Sequence, residues 1–214
     1  MARRIWIMAG AGALGVLVFI GAVLLTAGPA IFNVASKASQ CRLAADMAEA
    51  VEPYAKGAMA GFQPLTPADL TALPFDGADE NARTIAELKG RTTLFNLWAT
   101  WCAPCRVEMP DLAGLQRERG SEDFQVVAVS IDNRDTADPA GFLKEAAGDV
   151  LAYYREPTMR LFNSLNAAGL AAGMPTTLLI APDGCAAGIL SGAAVWNHED
   201  ALDLVDAALA SVRS

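Results

Sequence analysis

Apolar positions follow three different patterns along the chain. The first is an unbroken run: no charged residue occurs from Ile5 to Phe32. A stretch of roughly 20 apolar residues crosses a bilayer, whereas the core of a signal peptide is about 7–15 residues. The run therefore predicts a transmembrane anchor, and Gly10, Gly12, Gly15 and Gly21 suit a membrane helix better than a soluble one. The second pattern is helical. In residues 33–60, Leu43, Met47, Ala50 and Val51 recur on one face of an alanine-rich stretch that Pro53 interrupts and Gly57 ends. The proline-punctuated "FQPLTPADLTALPF" after it reads as a linker.

The third pattern begins near Leu73 and alternates continuous apolar runs with amphipathic ones. Residues 92–99 and 124–132 read as buried strands, and 102–120 as a helix ending at Gly120. A helix over 138–148, a strand over 150–154 and a helix over 157–169 follow. Residues 176–192 form a hairpin turned at Pro182-Asp183-Gly184. A last helix spans 198–213, with Leu202, Val205, Leu209 and Val212 on one face and Asn197 as its N-cap. Apolar strands between helices imply a central sheet covered on both faces, with the last hairpin as an antiparallel edge. The expected architecture is an α/β three-layer sandwich with a central mixed sheet, preceded by a transmembrane helix. Its parts are residues 1–32 (cytoplasmic stub and anchor), 33–72 (juxtamembrane helix and linker) and 73–214 (the folded domain).

Charge then orients the chain. Arg3 and Arg4 precede the apolar run and predict that end in the cytoplasm, so the remainder is expected outside the membrane, in the periplasm if the cell is Gram-negative. Two rival readings are a cleavable signal, with small residues at Thr26–Ala30 and Ser36–Ala38, and a buried soluble helix. Beyond residue 36 there are 14 basic residues against 24 acidic ones, a net charge of −10. Nucleic acid needs a basic footprint and is excluded as a partner.

The candidate chemistry lies in "FNLWATWCAPCRVEMP", residues 95–110, where Cys102 and Cys105 are separated by two residues. Structural zinc takes about four ligands, but Cys41 and Cys185 are isolated and His198 is the one histidine. An inert crosslink over so short a loop gains little chain entropy. Redox chemistry fits, because the pair falls where a buried strand meets a helix N-terminus, whose amides and dipole favour a thiolate. Cys102 at the helix start is the expected nucleophile, and Cys105 one turn in resolves the mixed disulfide. Pro104 between them removes a donor and stiffens the turn. No cofactor is expected.

"WATWCAPCRVEMP" resembles the active-site signature of TlpA/ResA-type thiol–disulfide oxidoreductases, the membrane-tethered thioredoxin-like proteins of bacteria. The resemblance runs from about Leu73 to the C-terminus. It takes in the lead-in "FDGADENARTIAELKGRTTLFNLWATWC" and the stretch "GMPTTLLIAPDG". It implies that Pro175 is the family's cis-proline facing the dithiol, with the Met174 backbone pairing with an extended substrate segment. It implies that Glu108 tunes the cysteines or relays a proton, the alternative being a solvated helix carboxylate. Trp101 would shield the dithiol, Trp98 would lie in the core, and Pro110 would kink the helix. The chain departs from thioredoxin at Asn96, six residues before Cys102, where thioredoxin carries a buried aspartate. Asparagine cannot act as a base, so proton handling passes to Glu108 or to water. The TlpA branch also has an extra bridge between N-terminal segment and core, which implies a Cys41–Cys185 disulfide; two free thiols or a second redox pair are the alternatives.

By the same resemblance the expected function is that of a periplasmic thiol–disulfide reductase in cytochrome biogenesis. It would keep cysteines of exported metalloproteins reduced, its clients being apocytochrome c, a copper chaperone or the copper-binding subunit of an oxidase. A CcdA- or DsbD-like protein of the inner membrane would supply electrons. The alternatives are a DsbA-type oxidant and a Sco-like copper-binding assembly protein, which wants three residues between its cysteines and a distal histidine. A peroxiredoxin is disfavoured by Ala99, where it needs threonine or serine.

Overall fold

The computed structural model describes residues 40–77, 79, 81–133 and 137–213. The anchor expected over residues 1–32 lies outside the described residues. From Cys41 to Ser214 the chain forms one compact unit.

Helix α1 spans Arg42–Val51 and buries Ala44, Met47, Ala48 and Val51. The buried stripe is thus centred on the i, i+3, i+4, i+7 positions from Ala44, and Ala50 lies at its edge. Two short 3₁₀ turns, Glu52–Tyr54 and Gly57–Met59, lead into strand β1, Phe62–Asp69. This corrects the expected linker: the proline-rich stretch is a strand. Proline cannot donate to a ladder, so it is tolerated at a sheet edge and at bulges. Both conditions hold, since β1 is the outermost strand and its register shifts between Pro64 and Ala68. The folded unit therefore starts at Cys41 and not near residue 73.

The remaining strands are β2 (Pro74–Asp76), β3 (Ala82–Thr84), β4 (Thr92–Trp98), β5 (Phe124–Ser130), β6 (Tyr154–Arg155), β7 (Thr176–Ile180) and β8 (Cys185–Ser191). The sheet order is β1-β8-β7-β4-β5-β6-β2-β3. Strands β4, β5 and β6 are parallel, and the other pairings are antiparallel. The β7–β8 hairpin was expected at an edge, but β1 covers it. The strand expected at 150–154 shrinks to the two residues of β6.

Every residue of β4 and β7 is buried, so helices and loops cover both faces of the sheet's centre. The helices are α2 (Ala103–Arg119), α3 (Pro139–Ala147), α4 (Arg160–Ala167) and α5 (Glu199–Ser211). The cap of α5 is His198 and not Asn197: its ring Nδ1 accepts the Asp200 amide at 3.1 Å. Arg119 on α2 pairs with Asp206 on α5 at 2.7 Å.

Candidate functional site

Strand β4 ends at Trp98, and a three-residue turn carries the chain into α2. Asp132 fixes that turn: its carboxylate accepts the Thr100 amide at 2.9 Å and the Thr100 hydroxyl at 2.6 Å, and Ser130 Oγ donates to it at 2.9 Å. Cys102 is the N-cap of α2, in extended backbone, and its Sγ accepts the Cys105 amide at 3.3 Å. The sulfur thus takes the place of the usual Ser or Asp oxygen at a helix start, where negative charge is favoured. Ala103 and Pro104 fill the first two helical positions, and Pro104 has no amide to leave unsatisfied there. Cys102 and Cys105 are joined in a disulfide with a Cα–Cα distance of 5.3 Å, and both are buried. Trp101 beside them is 42% exposed, while Trp98 is fully buried. Pro110 lies inside α2.

One turn beyond Cys105, on the same side of α2, Glu108 is 1% exposed. It is not a solvated helix carboxylate. Its Oε1 accepts Asn96 Nδ2 at 2.8 Å, and its Oε2 accepts the Ala194 amide at 3.1 Å and the Trp196 indole N–H at 3.2 Å. Burial pushes its carboxyl up to about 7, against the pull of these three donors, and the like charge of Asp111 adds a smaller push in the same direction. Asn96 uses its second amide hydrogen on Thr177 Oγ1 at 2.9 Å.

The Met174–Pro175 peptide is cis. Pro175 immediately precedes β7, whose Thr176 pairs with Leu97. Because β4 and β7 are antiparallel, Pro175 sits at the sheet end where β4 delivers the chain to Cys102. The Pro175 carbonyl accepts the Gly192 amide at 2.9 Å, which holds the start of β7 to the end of β8. Cys41 and Cys185 are joined in a second disulfide, with a Cα–Cα distance of 5.5 Å. Cys185 lies against Ala181, at the opposite end of β7, so this bridge stands apart from the dithiol. Asp183 adds to it by accepting the Ala44 amide at 3.2 Å. Among the described residues no group of three His, Cys, Asp or Glu side chains is placed to hold a metal.

Asp132, Thr177 and Trp196 were not singled out from sequence. Trp196 carried the one available signal, since a buried indole N–H usually finds an acceptor.

Fold and site together define a thioredoxin-like α/β protein with a dithiol at a helix N-terminus. Residues 64–199 match the Redoxin family, and the chain belongs to that family, with its likeness to the ResA/TlpA type within it. The thiol:disulfide interchange protein HelX of Rhodobacter capsulatus is 34% identical over 99 residues, which cover 45% of this chain and 51% of HelX. The thiol–disulfide oxidoreductase ResA of Bacillus subtilis is 28% identical over 116 residues, 53% of this chain and 62% of ResA. That of Oceanobacillus iheyensis is 37% identical over 57 residues, 27% of this chain and 30% of its own. The matched stretches therefore span less than two thirds of these relatives. Among solved structures, a thiol:disulfide interchange protein from Chlorobium tepidum superimposes with a TM-score of 0.55 at 26% identity, over 68% of this chain and 98% of that one.

Proposed function

We propose that the protein is a thiol–disulfide oxidoreductase that works as a reductant, tethered to the inner membrane with its folded unit in the periplasm. The observation that carries the reading is the Cys102–Cys105 pair capping α2, with a buried carboxylate one turn below it. In the reduced form the Cys102 thiolate attacks a client disulfide, forming a mixed disulfide and releasing one client thiol. Cys105 then attacks Cys102 Sγ, the second client thiol leaves, and the internal disulfide closes. Two electrons pass to the client. Cys105 is fully buried, so its proton needs an internal acceptor. Glu108, titrating at about 7, can take or return a proton near neutrality, which Asn96 cannot do.

The anchor reading rests on the uncharged run from Ile5 to Phe32, and the periplasmic one on Arg3 and Arg4 before it. Clients are exported proteins whose metal-binding cysteines must stay reduced, such as apocytochrome c, a copper chaperone or an oxidase subunit. A membrane thiol carrier of the CcdA or DsbD kind returns the electrons. The Met174 backbone, beside Pro175 at the dithiol end of the sheet, is the segment proposed to pair with clients.

The full chain in detergent should reduce insulin disulfides with dithiothreitol as electron source. Cys102→Ser should abolish this, and Cys105→Ser should accumulate mixed disulfides with clients. Full activity in Cys102→Ser sinks the reading. The reduction potential of the couple then separates a reductant, near the roughly −270 mV of thioredoxin, from an oxidant near the −120 mV or so of DsbA.

A further inference from the structure

Glu108 is held from two directions. Asn96, on β4, donates to Oε1, while both donors to Oε2 come from the loop between β8 and α5: the Ala194 amide and the Trp196 indole. That loop is remote from the dithiol in sequence and carries no residue of the redox motif. We propose that Trp196 is a positioning residue for Glu108, its indole N–H fixing the carboxylate in the buried site and favouring its ionised, proton-accepting form. The inference rests on the reading that Glu108 handles protons in dithiol exchange.

Three observations support it. Trp196 is fully buried, and its N–H is spent on a carboxyl oxygen and not on a backbone carbonyl. Burial alone does not force such pairing in this fold: Trp98 is as deeply buried, and its indole N–H has no partner among the described residues. A phenylalanine would also have filled an apolar slot without a donor, so the donor itself distinguishes this position. Two of the three donors to Glu108 come from this loop and the third from Asn96. Asn96 on β4 is neutral and is itself held by the neutral Thr177 on β7, and Asp111 on the same helix as Glu108 repels negative charge. Among the described residues, none of the carboxylate's hydrogen-bond partners is a cation. The ionised form inside the fold therefore depends on three neutral N–H donors, of which Trp196 supplies one.

Removing that donor makes the ionised carboxylate harder to form, so Glu108 should titrate at higher pH. The measurement is infrared difference spectroscopy of the full chain, reduced at the dithiol, titrated through the neutral range. Glu108→Gln identifies the carboxyl band by its loss. Trp196→Phe should move the midpoint of that band upward by about one pH unit, the size expected for one hydrogen bond to a charged group. The alkaline shift should appear equally in the pH profile of disulfide exchange. Benzothienylalanine at position 196, which keeps the shape of the indole and lacks its N–H, should give the same shift, and it decides the matter if Trp196→Phe does not fold. An unchanged Glu108 midpoint in the folded variant makes Trp196 a packing residue only and overturns the proposal. A wild-type protein that exchanges no disulfides, but whose Glu108 midpoint still moves on losing the indole N–H, refutes the oxidoreductase reading and leaves the positioning intact.

Discussion

A carboxylate at 1% exposure makes stability depend on pH in a direction opposite to that of most acids. Glu108 goes from an ordinary 4.5 to about 7 in the fold, so between those values the folded chain holds a proton that the unfolded chain has lost. Its contribution is complete below 4.5 and disappears as pH rises through about 7. The difference is worth about 3 kcal/mol. Urea unfolding of wild type and Glu108→Gln, at both ends of that window, should show wild type losing this much more than the variant as pH rises. Equal losses would mean that Glu108 is not desolvated in solution. At this scale the sequence was legible where partners are local. Cys102 and Cys105 declare themselves by spacing, and Asn96 and Glu108 are singled out by the resemblance of the motif around the pair. Trp196 did not, because its contact with Glu108 spans 88 positions and no periodicity reports such a pairing.

Among the elements, strands with continuous apolar runs were readable and edge strands were not. β4, β5 and β7 are buried almost throughout, so composition alone marks them. β1 carries Pro64 and Pro67, which argue against a strand in any sequence reading, and only its place at the edge permits them. Its anchoring contact is equally invisible in sequence. Gly188 on β8 faces Phe62 so closely that a Cβ there would overlap the end of the ring. Gly188→Ala should therefore push β1 away from the sheet and cost about 1–3 kcal/mol, as overpacking does. Hydrogen exchange should show the loss first in the β1 amides. A neutral substitution would mean that Phe62 has room to turn aside. Helix α5 gives the smaller lesson: Asn197 was the better cap by propensity, but the chain turns one residue later, and the His198 ring took the position.

For the molecule as a whole, the boundary of the folded unit decides what can be made and studied. A break at residue 73 follows the change in composition, whereas the packing places α1 against β1, β8 and α5. A fragment starting at residue 73 would expose the edge of β8, leave Cys185 unpaired and uncover α5. It should unfold without cooperativity or aggregate, while a fragment from residue 40 onwards should unfold in a single transition, as calorimetry would show. Equal transitions in both would return α1 and β1 to the status of an appendage. The central strands and the helix-capping dithiol were legible because each is written in a contiguous run of residues. The α1–β1 addition was not, because what makes it part of the fold is pairing with β8 and packing against α5, more than a hundred residues later.

The Cys41–Cys185 bridge also determines how the protein bears mechanical load. A pull arriving from the N-terminal side meets the folded unit at Cys41 and crosses two sulfur atoms directly into the first residue of β8. From there the line of tension runs along β8 and α5 to the C-terminus. The chain between the bridged residues, a sequence separation of 144 that takes in the dithiol and strands β1 to β7, hangs from that line as an unloaded loop. The bridge is a mechanical shunt: the loop that carries the dithiol stays slack, while β8 and the Ala194–Trp196 segment that holds Glu108 lie on the loaded line.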